Sequence, residues 1–282
     1  MNIFEQVLAP YIQPQQPEQN DYRDEEGYLC CGSCHTRREY QIEFDGDVRR
    51  VPVLCACRQQ KKKQEEDAAR EQQRRRGIQD TLSELQSQSA AIQPKAAFDQ
   101  DDGKNPAITS KVAGYVRNFD KALQNNLGLI LYGPPGTGKT FYAQCIADGL
   151  QKAGYFPWIT SIRLLSAAIN QNYGENRQRI LRLVKIVDAL ILDDFGAERD
   201  TSFMAEQVFE IINTRYEAAK PLIVTTNLDL NVMASEKDIA ARRVYERVME
   251  MCAPLEVKGE TRRRQIASRK MADLKDILGL EG

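Results

Sequence analysis

The chain has 282 residues, 42 % of them hydrophobic and 28 % charged, with a formal net charge of −1. That length and composition suit one full α/β domain with a smaller module, and they exclude a disordered or collagen-like chain. Near-neutral charge excludes a globally basic nucleic-acid binder, so any such contact must come from local patches. With no apolar run of 18 residues, no membrane span is expected. The N-terminus has neither a basic stretch nor a long apolar one, so no secretion signal is expected and a cytoplasmic location follows.

Residues 1–29 are acidic, with six carboxylates and one arginine, and within residues 3–13 a short amphipathic helix could form up to Pro10. Five of the seven cysteines then cluster at positions 30, 31, 34, 55 and 57. In a cytosolic chain, two tight pairs about twenty residues apart read as a metal site rather than as disulfides. Cys31, Cys34, Cys55 and Cys57 make a plausible four-thiolate zinc site. Cys30 is an alternative to Cys31, and His35, the only histidine, is an outside candidate. Zinc would help to fold a module too small to bury a core of its own. Cys145 and Cys252 sit in apolar, helical-looking contexts and read as small core residues.

Between Arg58 and Arg76 lie eight basic and four acidic residues and no large apolar one. Good helix formers without proline predict a solvated helix that buries no face, a linker over 58–95. Its basic runs leave a direct DNA contact open. The composition therefore divides into residues 1–57, a linker, and a domain over 96–282.

From about Ala96 the texture is that of an α/β domain. Val112, Tyr115, Val116, Phe119 and Leu123 recur at helical spacing. A buried-strand run, LGLILY, follows. Helices are expected over 138–152, 162–170, 176–187 and 203–219, alternating with strands near 155–160, 189–193 and 221–226. This alternation predicts a parallel sheet with helices on both faces. Pro157 suits a strand start or an edge.

Gly133, Pro134, Pro135, Gly136, Thr137, Gly138, Lys139 and Thr140 form G-x-x-x-x-G-K-T between a strand and a helix. Glycines let backbone N–H groups turn inward around phosphate oxygens, and the helix N-terminus adds its dipole. Lys139 would reach the β and γ phosphates of ATP or the β phosphate of ADP, and the Thr140 hydroxyl would sit on Mg²⁺. The run Ala189–Leu192 ends in Asp193 and Asp194, which places two carboxylates at the C-terminal edge of a strand, where open α/β sheets bind ligands. Asp193 would hold Mg²⁺ and Asp194 would orient and deprotonate the attacking water. After the strand 221–226, Asn227 could bond that water or the γ-phosphate. Arg243 and Arg247, four apart, share a helix face. Spacing alone leaves them equally a solvated basic face or a pair completing a neighbouring subunit's phosphoryl-transfer site.

Together GLILYGPPGTGKT, LILDDFGAERDT, RYEAAKPLIVTTNL, RRVYERVMEMCAPLEV and GETRRR give residues 96–270 a resemblance to the bacterial and phage helicase-loader ATPases of the DnaC/DnaI type. These belong to the AAA+ class and are related to IstB transposition helpers. The resemblance implies a P-loop AAA+ fold, ATP hydrolysis, and a role in placing a replicative hexameric helicase on single-stranded DNA as a homo-oligomer. It makes the cysteine module resemble the loaders' helicase-binding module, which IstB-type helpers generally lack. It puts Arg247 at the arginine-finger position with Arg243 as its partner. It puts Tyr173, Thr201 and Phe203 near loops that contact single-stranded DNA. Asp194 departs from the Glu commoner in the class. A transposition helper, or an adaptor that binds ATP and hydrolyses little, are the alternatives.

Overall fold

The computed structural model describes residues 17–18, 20–44, 46–87, 92–171, 175–196, 202–262 and seven positions between 267 and 278. The short helix expected within 3–13 lies outside them. The chain divides into two compact units, with the break between Arg74 and Arg75. No described helix is long and apolar enough to cross a membrane.

The first unit holds two small antiparallel pairs. Strand β1 (Tyr22–Arg23) pairs with β2 (Leu29–Cys30), and β3 (Glu39–Phe44) pairs with β4 (Asp47–Pro52) as a hairpin. Its buried apolar residues, among those described, are Leu29, Cys30, Cys31 and Cys55. Arg38 and Asp21 form a buried ion pair beside them.

Helix α1 (Ala56–Ser87) carries the polar stretch, as its composition predicts. Its last turns differ from a solvated spacer. Ile78 and Leu82 are buried in the core of the second unit. Glu84 holds Arg179, while Arg75 donates to the Gly154 carbonyl at 3.0 Å. The residues that bury a face lie just beyond the basic run, where the heteropolymer texture first admits large apolar side chains.

The second unit is built on five strands: β5 (Gly128–Tyr132), β6 (Pro157–Thr160), β7 (Ala189–Phe195), β8 (Leu222–Thr226) and β9 (Cys252–Glu256). They are all parallel, in the order β6-β7-β8-β5-β9. Both faces are covered, which is why the strands read as continuous apolar runs. Leu131, Ala189, Ile191 and Ile223 face one core with α2 (Pro106–Arg117), α3 (Phe119–Gln124) and α4 (Lys139–Lys152). Ile130, Leu190, Leu192, Leu222 and Val224 face the other. That layer contains α5 (Ile162–Gln171), α6 (Glu175–Ile186), α7 (Ser202–Glu217) and α9 (Ile239–Met251), with the short α8 (Leu230–Ala234) nearby.

Two local readings are corrected. The periodic run 112–123 is two helices, because the chain turns at Asn118, the residue between α2 and α3. Cys252 is buried, as expected, but opens strand β9 rather than ending a helix. Pro254 hides that strand from pattern reading. It is tolerated because β9 is the sheet's edge, where a missing N–H breaks no ladder. Pro157 starts the opposite edge strand, the position its residue type predicts.

One buried cation ties the sheet's lower ends together. Arg215 is fully buried and donates to the carbonyls of Val184, Val187, Asp188 and Pro221. Burial pushes its pKa down to about 9, so it remains charged at neutral pH. Four carbonyl acceptors take the place of a carboxylate partner.

Candidate nucleotide site and thiolate cluster

The apolar strand β5 ends at Tyr132, and the glycine-rich loop begins one residue later, at the sheet's C-terminal edge. Gly138 caps α4 in the left-handed region, with φ of 103°, which glycine alone adopts without strain. A side chain there would also run into the Arg262 guanidinium. Lys139 is nearly buried, and its Nζ donates to the Gly133 and Pro134 carbonyls at 2.8 Å each. The loop's own backbone therefore holds the ammonium at the helix N-terminus, where anions are favoured.

Strand β7 delivers the acid pair from the sheet's centre. The Thr140 hydroxyl donates to Asp193 Oδ1 at 2.9 Å, and the Thr225 hydroxyl donates to the same oxygen at 2.7 Å. Asp193 is thus clamped beside the phosphate loop, and Thr140 and Asp193 would together hold Mg²⁺. Asp194 has φ of 59°, and the β7–β8 register shifts between Leu192 and Phe195. Such a bulge re-aims one side chain at a site, and a left-handed non-glycine residue costs about 1–2 kcal/mol. Asp194 N donates to Thr225 Oγ1 at 2.9 Å, and Asn227 Nδ2 donates to Asp194 Oδ1 at 3.1 Å. The Thr225 hydroxyl braces both acids at once.

Replacing Thr225 with valine, which keeps shape and removes the hydroxyl, is expected to weaken Mg²⁺-dependent nucleotide affinity about 10- to 100-fold, the usual cost of losing an outer-shell brace. Titration of ATP at several Mg²⁺ concentrations checks this. Unchanged Mg²⁺ dependence would remove Thr225 from the site.

These residues line one cavity of about 520 Å³, a size suited to a small ligand. Gln100, Asp101, Asp102, Phe141 and Arg262 complete it. Sequence reading missed all five. Asp102 and Arg262 are 160 positions apart and meet in a two-pronged ion pair at 2.7 and 2.8 Å. Burial pushes the Asp102 carboxyl up, but the Arg262 bonds and the Lys104 N–H outweigh it and hold it below the usual range. Arg262 also donates to Thr137 O at 3.1 Å, and its own N–H reaches Gly136 O at 3.0 Å. The only signal for Arg262 was its place in GETRRR, just after an unrecognised edge strand.

Arg243 and Arg247 both lie on α9, and neither lines this cavity. Tyr173 and Thr201 lie outside the described residues, and Phe203 belongs to α7.

In the first unit, the Sγ atoms of Cys31, Cys34, Cys55 and Cys57 all lie within 4.8 Å of one another. Two of the separations, Cys31–Cys57 and Cys55–Cys57, are 3.7 and 3.3 Å. Four sulfurs about 2.3 Å from one ion stand less than 4 Å apart, so this donor set fits tetrahedral zinc. Cys30 points elsewhere, its Sγ 3.8 Å from Asp24 Oδ2. His35 instead meets the Tyr22 hydroxyl, at 3.2 Å from Nδ1. The Thr36 hydroxyl and the N–H groups of Cys57 and Thr36 bring Cys34 down to about 5, while Cys55, Cys34 and Cys31 push Cys57 up to about 12. Without a cation, four thiolates cannot share this volume.

A parallel sheet of this order, a glycine-rich loop opening a helix, and an acid pair on the neighbouring strand end define a P-loop nucleotide-binding domain of the AAA+ type. Residues 60–270 match the family described as IstB-like ATP binding protein. The chain belongs to that family. It is 27 % identical over 182 residues to the replicative helicase loader DnaI of Bacillus subtilis, covering 60 % of this chain and 58 % of that one. With the replicative helicase loader DnaC of Escherichia coli K12 the figures are 26 % over 142 residues, covering 49 % and 56 %. An ATP-binding protein in an insertion sequence of Mycobacterium tuberculosis is 35 % identical over 104 residues, covering 35 % and 40 %. The chain thus spans about half the length of the curated relatives it matches. A crystal structure of DnaI covers 60 % of this chain and 90 % of its own, at 26 % identity and a TM-score of 0.48.

Proposed function

We propose that the chain is an ATP-hydrolysing helicase loader, which captures a replicative hexameric helicase and places it on single-stranded DNA. The observation that carries this reading is the four-thiolate unit, which lies ahead of the residues that match the ATP-binding family. Similarity to two proteins named as replicative helicase loaders supports it. In this reading residues 1–57 bind the helicase, residues 58–95 join the units, and residues 96–282 run the ATP cycle in the cytoplasm. Lys139 draws the β and γ phosphates, Thr140 and Asp193 hold Mg²⁺, and Asp194 and Asn227 orient the attacking water. Arg247, with Arg243 beside it, completes the site of a neighbouring copy in an ATP-bound homo-oligomer. Tyr173, Thr201 and Phe203 contact single-stranded DNA, the aromatics by stacking, which needs no sequence readout.

A second reading, a transposition helper that presents DNA to a transposase, is favoured by the family's description and by the insertion-sequence relative. The two separate in a capture experiment with the full chain, offered a replicative helicase or a transposase. Helicase capture is expected, and it is expected to disappear in a chain starting at Arg75, which keeps Ile78 and Leu82 and so preserves the second unit's core. Capture of the transposase alone would overturn the loader reading. Equal helicase capture by the shortened chain would move the docking surface off the N-terminal unit.

A further inference from the structure

Arg247 is held by two aromatic rings and a backbone carbonyl. Three other arginines of the second unit are locked into ion pairs: Arg177 with Glu210, Arg179 with Glu84 and Arg262 with Asp102. Among the described residues no carboxylate pairs with Arg247. Its guanidinium carbon lies 5.1 Å from the centre of the Phe209 ring and 5.6 Å from that of Tyr216. These two residues are seven apart on α7, two helical turns, and so share one face. Its Nη1 donates to the Arg243 carbonyl one turn back at 3.2 Å, and its Nε is buried without a partner. The Tyr216 hydroxyl donates to Glu250 Oε1 at 2.9 Å, which fixes the ring to the same helix that carries the arginine.

We propose that Phe209 and Tyr216 are positioning residues, an aromatic seat that presents the Arg247 guanidinium to the nucleotide of a neighbouring subunit. This rests on the reading of Arg247 as an arginine acting in trans. A ring face attracts a cation through its quadrupole and takes up none of its N–H donors. A carboxylate would neutralise the charge and occupy the planar fork that phosphate oxygens need. The seat therefore restrains a long, flexible side chain while leaving its charge free for anionic oxygen. The Arg243 carbonyl, one turn back, sets the rotation of the fork.

The test uses two full-length chains, one with Lys139→Ala that can only donate the arginine, and one with Arg247→Ala that can only bind and turn over ATP. Each alone is nearly inactive, and mixing restores turnover at interfaces that pair an intact loop with an intact arginine. Phe209→Leu and Tyr216→Leu are then placed together on one chain at a time, with melting temperatures recorded. On the arginine-donating chain they are expected to lower the restored turnover about tenfold or more, since small misplacements of a catalytic group are costly. On the nucleotide-binding chain the same pair should leave it within about twofold, because the arginine used there comes from the other chain. Tyr216→Phe, which keeps the ring but frees it from Glu250, should lower the restored turnover less than the paired leucine changes do on the arginine-donating chain. Equal loss from both placements, or none from either, overturns the seat alone. A parent mixture as inactive as its components, although light scattering shows co-assembly, overturns the trans reading and the seat with it.

Discussion

Replacing Lys139 with alanine is expected to lower ATP turnover by about 10²- to 10³-fold or more, the usual cost of losing a preorganised charge aimed at the reacting group, and to weaken ATP binding with it. The cavity explains why the loss should be large. Its lining includes four carboxylates, Asp101, Asp102, Asp193 and Asp194, against two cations, Lys139 and Arg262. Arg262 is already committed to Asp102. A nucleotide triphosphate entering this field depends on Mg²⁺ at Asp193 and on the Lys139 ammonium to offset like-charge repulsion. Stability should change little. Lys139 is the first residue of α4, where alanine is a good helix former. The carbonyls it would release, on Gly133 and Pro134, belong to a partly exposed loop that water can reach. Fluorescent-nucleotide titration, turnover and thermal melting decide it together. Unchanged affinity and turnover in a folded variant would rule out the phosphate-loop role, and a lost melting transition would make Lys139 a structural residue.

The parts of this site that lie within one short segment could be read from the chain. The glycine-rich loop announces itself because phosphate binding needs residues of fixed type at fixed spacing. Asp193 and Asp194 follow an apolar run whose both-sided burial marks a central strand. What could not be read is what the fold brings together from far apart. Asp102 and Arg262 have no local pattern, since their pairing depends on edge strand β9, and Pro254 disguises that strand. Thr225 looks like one more β-branched strand residue, and only the register with β7 makes its hydroxyl the brace of both acids. Ile78 and Leu82 follow a stretch so polar that the whole segment reads as solvated, yet two large apolar residues four apart are enough to dock a helix end. The cysteines show the opposite case. Spacing left Cys30 and Cys31 open, and the fold decides between them: Cys30, the last residue of β2, turns its Sγ to Asp24, while Cys31, one residue past the strand, joins the cluster.

One zinc ion per chain is the second expectation, and its removal should unfold the N-terminal unit while leaving nucleotide binding in place. Among the described residues, the first unit buries few apolar side chains, namely Leu29, Cys30, Cys31 and Cys55, and two-stranded pairs are marginal by themselves in water. The buried Arg38–Asp21 pair adds order but little net stability, because desolvation offsets its attraction. A structural zinc contributes about 10–16 kcal/mol at neutral pH, which outweighs all of these. It also resolves the conflict among the four sulfurs, since the ion stabilises every thiolate, whereas without it the neighbouring thiols push Cys57 up while the Thr36 hydroxyl and nearby N–H groups hold Cys34 low. The second unit has separate cores on both faces of its sheet, so it does not depend on the metal. Metal analysis of protein purified under reducing conditions should therefore find one zinc ion per chain. Strong chelation, or Cys34→Ser with Cys57→Ser, should abolish amide-exchange protection over β3 and β4 while ATP titration is unchanged. Acid should act in the same direction, because protons compete with zinc for the thiolates. A metal-free chain whose residues 39–52 stay protected would show that the hairpin folds without an ion, and the four cysteines would then need another explanation.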